Sequence, residues 1–248
     1  PGHGRIHAES DGAGPAIVFV HADFVDGRMW DGVRECLADR YRTVAYDKLG
    51  YGRSDVATGP VVRRRELEAV VDALGLATFD LVGCSNGGAQ ALDFTLEHPD
   101  RVRSLTLVNA PPSGWQPAGE PPPLLMEMFA AFEAGDVAAT SELQLRIWFD
   151  GPDRDPDLFP PALQDARRLA AVMNRIFVER RTFFQADPEP MDPPALSRLG
   201  EIAGKEGAQL SEPVLFRIAR AAGGGARAEQ QVEVLLAGRA VAYRDEDL

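Results

Sequence analysis

Residues 79 to 88 read FDLVGCSNGG, a serine hydroxyl set among Gly83, Gly87 and Gly88. An apolar run precedes Ser85 and a helical pattern follows it. That is the context in which a strand turns sharply into a helix and pushes its central residue into strained backbone geometry. Bulky neighbours would clash in such a turn, which explains the glycines. The geometry would expose the Ser85 hydroxyl at the carboxyl end of a sheet, with the Asn86 backbone N–H and a helix N-terminus aimed at a developing oxyanion. The chemistry implied is nucleophilic attack on an acyl carbon. The competing reading is a small residue in a tight structural turn, because G-x-S-x-G also occurs by chance.

Elements able to position such a serine are readable on both sides of it. Short apolar runs at 16–20 (AIVFV), 43–46 (TVAY), 79–82 (FDLV) and 104–109 (SLTLVN) alternate with segments of helical period, as a parallel sheet covered by helices requires. Leu67, Val70, Val71 and Leu74 form one apolar helix face ending at Gly75. A second helix is expected from just after Ser85 to about His98-Pro99, burying Ala89, Leu92 and Leu96. Two proline-rich stretches, 111–123 and 186–194, read as hinges around helical sequence that carries Phe129, Phe132, Trp148, Phe149, Phe177, Phe183 and Phe184. These aromatics either fill an ordinary helical core or line an apolar pocket over the sheet. Beyond residue 200 the pattern weakens. Gly204, Lys205, Glu206 and Gly207 interrupt the stretch where a further strand is expected, PVLFRIARAA reads as helix, and 232–236 (VEVLL) reads as strand.

Composition narrows the partners. The 248 residues, 45% hydrophobic, suffice for one sizeable core. With 26 basic against 38 acidic residues the net charge of -12 repels a phosphate backbone, so nucleic acid is excluded as a general partner and a small molecule is expected. Cys36 and Cys84 are too few for a disulfide framework and read as two reduced, buried thiols. No apolar run reaches membrane-spanning length and no signal peptide is visible, so a cytoplasmic protein without membrane partners is expected. No motif indicates a metal, nucleotide or other cofactor.

Further blocks carry a resemblance. VFVHADF (18–24), RMWD (28–31), YRTVAYDKLGYGRSD (41–55) and LEHPDRVRSLTLVNAP (96–111) are similar to the α/β-hydrolase family, especially its ring-opening lactone hydrolases and esterases. The resemblance covers residues 1 to 200. It implies an α/β-hydrolase fold, a mostly parallel sheet flanked by helices, with core segments at 1–110 and 191–248 and a helical cap insertion at 111–190. It also implies an oxyanion hole made by the backbone N–H groups of Asp23 and Asn86, with Ala22 where glycine is usual, and substrate contacts from Phe24 and Trp148. His21 would orient the oxyanion loop rather than transfer protons, while Asp47, Arg53 and Asp55 would hold turns. A serine at the elbow argues against dehalogenase and epoxide-hydrolase relatives, which place aspartate there.

The family order of nucleophile, acid and histidine is incomplete here. The histidines are His3, His7, His21 and His98, so none follows residue 98. Ala240 stands about where the base is expected, in a loop after the last strand. The acid's expected loop offers Ser211 or Glu212, of which Glu212 is the candidate. Three explanations stay open: an inactive or ligand-binding relative, an altered or truncated C-terminus, or an unexpected base. The leading expectation is hydrolysis of a small ester or lactone through an acyl-Ser85 intermediate; the alternative is a catalytically impaired, ligand-binding relative.

Overall fold

A computed structural model describes residues 4–113, 119–151, 154–180, 189, 190, 192 and 194, together with the backbone of strands at 215–220, 230–236 and 239–243. Five N-terminal strands lie where the apolar runs predict them, apart from the edge: β1 (His7–Asp11), β2 (Ala16–Val20), β3 (Arg42–Asp47), β4 (Phe79–Cys84) and β5 (Val102–Val108). They are ordered β1-β3-β2-β4-β5, with β3, β2, β4 and β5 parallel and β1 antiparallel at the edge.

Because both faces of the central strands are covered, β2 is apolar at every position and β3 and β4 carry apolar residues through their middles, as buried parallel strands require. Val18 and Val20 point to one core with Val44, Leu81, Leu105 and Leu107, whereas Phe19 points to the other with Ala45 and Trp30. The first core is closed by α2 (Arg63–Ala73), through Leu67, Val70 and Val71, and by α3 (Asn86–Glu97), through Ala91, Leu92 and Phe94. The α2 face is the one its periodicity predicts, and Gly75 ends it at a φ of +66°. The opposite face is covered by a 3-10 turn (Gly27–Trp30) and α1 (Asp31–Leu37). Each fully buried Leu or Phe contributes about 1.5–3 kcal/mol of transfer free energy, which holds the sheet's central strands against the helices on either face.

Among the described residues three α-helices follow β5: α4 (Pro123–Glu133), α5 (Val137–Leu145), extended by a π-helical turn (Arg146–Asp150), and α6 (Pro161–Glu179). Helix α5 escaped the sequence reading, although Gly135 (φ +75°) followed by Asp136, whose carboxylate caps the Ala139 N–H at 2.9 Å, is a stop-start signal. These helices pack on one another around Met128, Leu145, Ala170 and Met173. Arg167 braces them, donating from Nε to Asp150 Oδ1 at 2.8 Å and from Nη2 to Glu142 Oε1 at 2.8 Å. They meet the sheet layer where the Phe177 ring stacks on Tyr51 at 5.0 Å and where Arg180 Nη1 donates to the Ser54 carbonyl at 2.9 Å.

The C-terminal strands extend the sheet as an antiparallel meander: β6 (Leu215–Arg220) on β5, then β7 (Gln230–Leu236), then β8 (Arg239–Tyr243) at the edge. The β7 range contains the predicted 232–236 strand. The helix expected at PVLFRIARAA is instead strand over Leu215–Arg220, because pairing with β5 on one side and β7 on the other satisfies its backbone and overrides local helical propensity. Among the described residues no helix is long and apolar enough to cross a membrane.

Candidate active site

Ser85 sits between β4 and α3 with φ +52° and ψ -126°. Its own N–H is held by the Val108 carbonyl at 2.9 Å, and its carbonyl accepts the Gly88 and Ala89 N–H groups at 2.9 and 3.1 Å. The neighbouring glycines are forced by contact. A Cβ on Gly83 would stand 2.6 Å from the Gly88 Cα, one on Gly87 2.3 Å from the His21 carbonyl oxygen, and one on Gly88 2.3 Å from the Ala110 Cβ. The turn is thus pressed against the end of β2 and the loop after it.

Among the described residues three non-glycine positions have positive φ: Phe24 at 69°, Ser85 at 52° and Asn109 at 47°. They follow the carboxyl ends of β2, β4 and β5, three adjacent strands. Strain of this kind costs about 1–3 kcal/mol per residue and persists only where the surroundings over-determine it. Here it is gathered at the edge of the sheet where open α/β folds bind ligands.

The loop after β2 is fixed by buried polar contacts. His21 is fully buried; its Nε2 accepts the Lys48 backbone N–H at 3.0 Å, and its Nδ1 lies 2.6 Å from the Ala22 carbonyl. That pairing defines the neutral tautomer with the proton on Nδ1, and burial followed by the Lys48 charge holds the imidazole well below its ordinary pKa. With both nitrogens engaged, His21 has no lone pair to offer Ser85.

Asp23 is tied to the serine turn through its side chain, a contact the sequence reading missed. Oδ1 accepts from Lys48 Nζ at 2.8 Å and from Tyr51 Oη at 2.9 Å, and Oδ2 accepts from Asn86 Nδ2 at 2.6 Å. Lys48 is fully buried, whereas the Asp23 side chain keeps 22% of its surface exposed. Burial alone would raise the Asp23 carboxyl, but the Lys48 charge and the bonds from Lys48, Asn86 and Tyr51 outweigh it and hold the group well below the carboxylate range. Burial in turn lowers the Lys48 ammonium against the opposing pull of Asp23, and raises the Tyr51 phenol. The sequence signal for this cluster is a lysine directly after Asp47, the last residue of buried strand β3, in AYDKLGY. Among the described residues, the backbone N–H groups of Asp23 and Asn86 make no hydrogen bond within the protein.

Phe24 and Trp148 are brought together, their rings stacked at 4.3 Å, with Phe177 edge-on to Phe24 at 5.3 Å. Trp148 keeps 49% of its surface exposed, so this aromatic wall is open to solvent. His98 ends α3, about 18 Å along the helix from Ser85, and faces Glu68 Oε1 at 3.6 Å. His7 lies on edge strand β1 beside Glu9 Oε1, at 3.3 Å. His3, Ser211, Glu212, Phe183 and Phe184 lie outside the described residues. Ala240 is not in a loop after the last strand: it pairs with Leu235 inside β8. Four inter-strand spacings separate β8 from β4, about 19 Å, because β6 to β8 run on as a meander away from the serine turn. Asp47 holds turns, its carboxylate accepting the Gly27 N–H at 2.9 Å and the Arg53 N–H at 2.7 Å.

The fold that positions this glycine-framed serine has counterparts among known proteins. The alpha/beta hydrolase fold family matches residues 15–181, and the chain belongs to that family. It is 32% identical over 155 residues to a pimeloyl-[acyl-carrier protein] methyl ester esterase of Aeromonas hydrophila, covering 61% of each chain. It is 32% identical over 112 residues to a 2-hydroxy-6-oxo-6-phenylhexa-2,4-dienoate hydrolase of Burkholderia cepacia, covering 42% of this chain and 39% of that one. The matched stretch therefore spans less than two thirds of these curated relatives. Among solved structures, the enol-lactonase of Burkholderia xenovorans LB400 superposes with a TM-score of 0.56 at 21% identity, over 72% of this chain and 68% of that one. An esterase of Thermogutta terrifontis gives 0.56 at 22% identity, over 73% and 66%. At these identities the two structures speak for the fold.

Proposed function

We propose that this chain is a serine hydrolase that opens small, mostly apolar esters or lactones through an acyl-Ser85 intermediate. The observation that carries the reading is the strained Ser85 turn, pressed by three close-packed glycines against the loop after β2 and flanked by strained Phe24 and Asn109. The names of the relatives, a methyl ester esterase and a dienoate hydrolase, agree with a hydrolytic role. In the proposed reaction Ser85 Oγ bonds to the acyl carbon and the carbonyl oxygen takes up the Asp23 and Asn86 N–H groups. The bond to the leaving alkoxide then breaks, and the alkoxide gains the proton that the serine gives up. Water repeats the sequence on the acyl-enzyme and releases the acid. Helices α4 to α6 act as a cap, with the Phe24–Trp148 wall contacting the substrate.

A second reading, a ligand-binding relative with impaired catalysis, is favoured by one observation: His7 and His21 are hydrogen-bonded elsewhere, His98 lies at the far end of α3, and none offers a nitrogen to Ser85. An oxyanion hole and binding alone retain roughly a thousand-fold or more over water, so activated esters, whose leaving groups need no proton, are the substrates most accessible to the described residues. A p-nitrophenyl ester panel read by thermal shift and by nitrophenolate release separates the two readings. Ser85-dependent release supports the hydrolase, and stabilisation by mass action without release supports the binding protein.

A further inference from the structure

The proposed oxyanion loop carries a feature that oxyanion chemistry does not need, a carboxylate. Asp23 contributes a backbone N–H to the site, yet its side chain also reaches the first residue of α3 and stays partly exposed. Lys48 neutralises it from behind. The ammonium is fully buried and bonds Oδ1, with Tyr51 on the same oxygen, while among the described residues Oδ2 accepts only from Asn86 Nδ2. A carboxylate oxygen has two lone-pair sites, so Oδ2 keeps one acceptor position. The ion pair therefore presents its negative end towards the Ser85 turn and hides its positive end in the core. Tyr51 holds this arrangement rigid, since its ring is packed between His21 at 5.0 Å and Phe177 at 5.0 Å.

We infer that Asp23 is a specificity-determining residue which selects acyl groups bearing a hydroxyl or ammonium donor on the carbon next to the scissile carbonyl. The inference rests on the serine-hydrolase reading above. The Asp23 N–H and its carboxylate belong to one residue, so a carbonyl oxygen bound by the first brings its α-substituent within side-chain reach of the second. A hydroxyl or ammonium there completes the open acceptor position of Oδ2 in a charge-assisted bond. A methyl in the same place desolvates that oxygen without replacing the lost hydrogen bond to water. The strong acidity imposed on Asp23 keeps the acceptor ionised throughout the neutral range.

The test compares p-nitrophenyl esters of glycine, glycolic acid and propionic acid. Acylation of Ser85 is followed by intact mass and nitrophenolate release, and each rate is divided by that ester's rate in buffer. The wild type should favour the glycine and glycolate esters over propionate by about ten-fold or more, the scale of one charge-assisted contact. In Asp23→Asn the preference should fall to within about three-fold, through a rise for propionate relative to the donors rather than a uniform loss. Asp23→Asn/Lys48→Met removes the buried charge together with its partner and should give the same collapsed ratio, which guards against misfolding of the single variant. A ratio unchanged in both variants, with Ser85 still acylated, overturns the role of Asp23 alone. Failure of every ester to acylate Ser85 in the wild type overturns the hydrolase reading and this substrate class with it.

Discussion

Replacing Gly87 by alanine tests whether the serine turn is built by contact. The added Cβ would lie 2.3 Å from the His21 carbonyl oxygen and 2.8 Å from that of Val20, whereas ordinary contact begins at 3.4 Å. Both obstacles are backbone at the end of β2, so no side-chain rotation relieves them, and α3 must back away from the loop after β2 by about 1 Å. Overpacking of this kind costs about 1–3 kcal/mol. For a chain of this size that corresponds to a fall in Tm of roughly 2–12 °C. The same shift separates the proposed oxyanion donors of Asp23 and Asn86, and a displacement of about 1 Å can cost on the order of a hundred-fold in rate. Gly32→Ala is the control: it lies in α1 with nothing within 4 Å of its Cβ, and should be neutral or stabilising by up to about 1 kcal/mol. Thermal unfolding and the rate of Ser85 phosphonylation, measured on both variants, read the two effects. Wild-type melting and wild-type labelling in Gly87→Ala would refute the reasoning.

Asp23→Ala should destabilise by about 3–5 kcal/mol, because it strands the fully buried Lys48 charge. Asp23→Ala/Lys48→Met should recover much of that loss in urea unfolding, and additive costs would contradict the buried pair. Trp148→Ala removes a stack worth about 0.5–1.5 kcal/mol from a half-exposed position, so Tm should move by only a few degrees while the apparent affinity for aromatic esters falls in steady-state kinetics. His21 stays neutral in the fold while its unfolded counterpart protonates below about pH 6.5. The unfolded state then binds the extra proton, so urea-midpoint stability should fall as pH drops below that value, by up to about 1.4 kcal/mol per pH unit. An imidazole resonance of His21 titrating at its ordinary pKa would contradict this. Ala240→His should leave ester hydrolysis unchanged, since the position lies within β8 and four strands from β4; a Ser85-dependent gain would show a different C-terminal arrangement.

The parallel half of the fold was legible because its signals are local. Val18, Phe19 and Val20 form an apolar run that only a strand buried on both faces tolerates, and the α2 face ended where Gly75 allowed it. The serine turn was legible because its glycines mark it in the sequence, although only the approach of Gly83 to Gly88 is local, Gly87 answering to the end of β2 and Gly88 to Ala110. The Asp23 side-chain contacts were not: Lys48, Tyr51 and Asn86 lie 25, 28 and 63 residues away in sequence, and only the sheet order brings them together. Strand β6 was misread because its extended form depends on partners before and after it. Ala240 was misplaced because likening VEVLL to the family's last strand makes the residues after it a loop, whereas 239–243 turn back and pair with β7 as β8.

The central claim is that Ser85 is the nucleophile, and covalent labelling tests it most directly. Incubation with a neutral alkyl fluorophosphonate, followed by intact mass and peptide mapping, should give one adduct per chain, located on Ser85 and absent from Ser85→Ala. An unlabelled wild type that binds esters in thermal shift, or an adduct of equal yield in Ser85→Ala, would contradict the account.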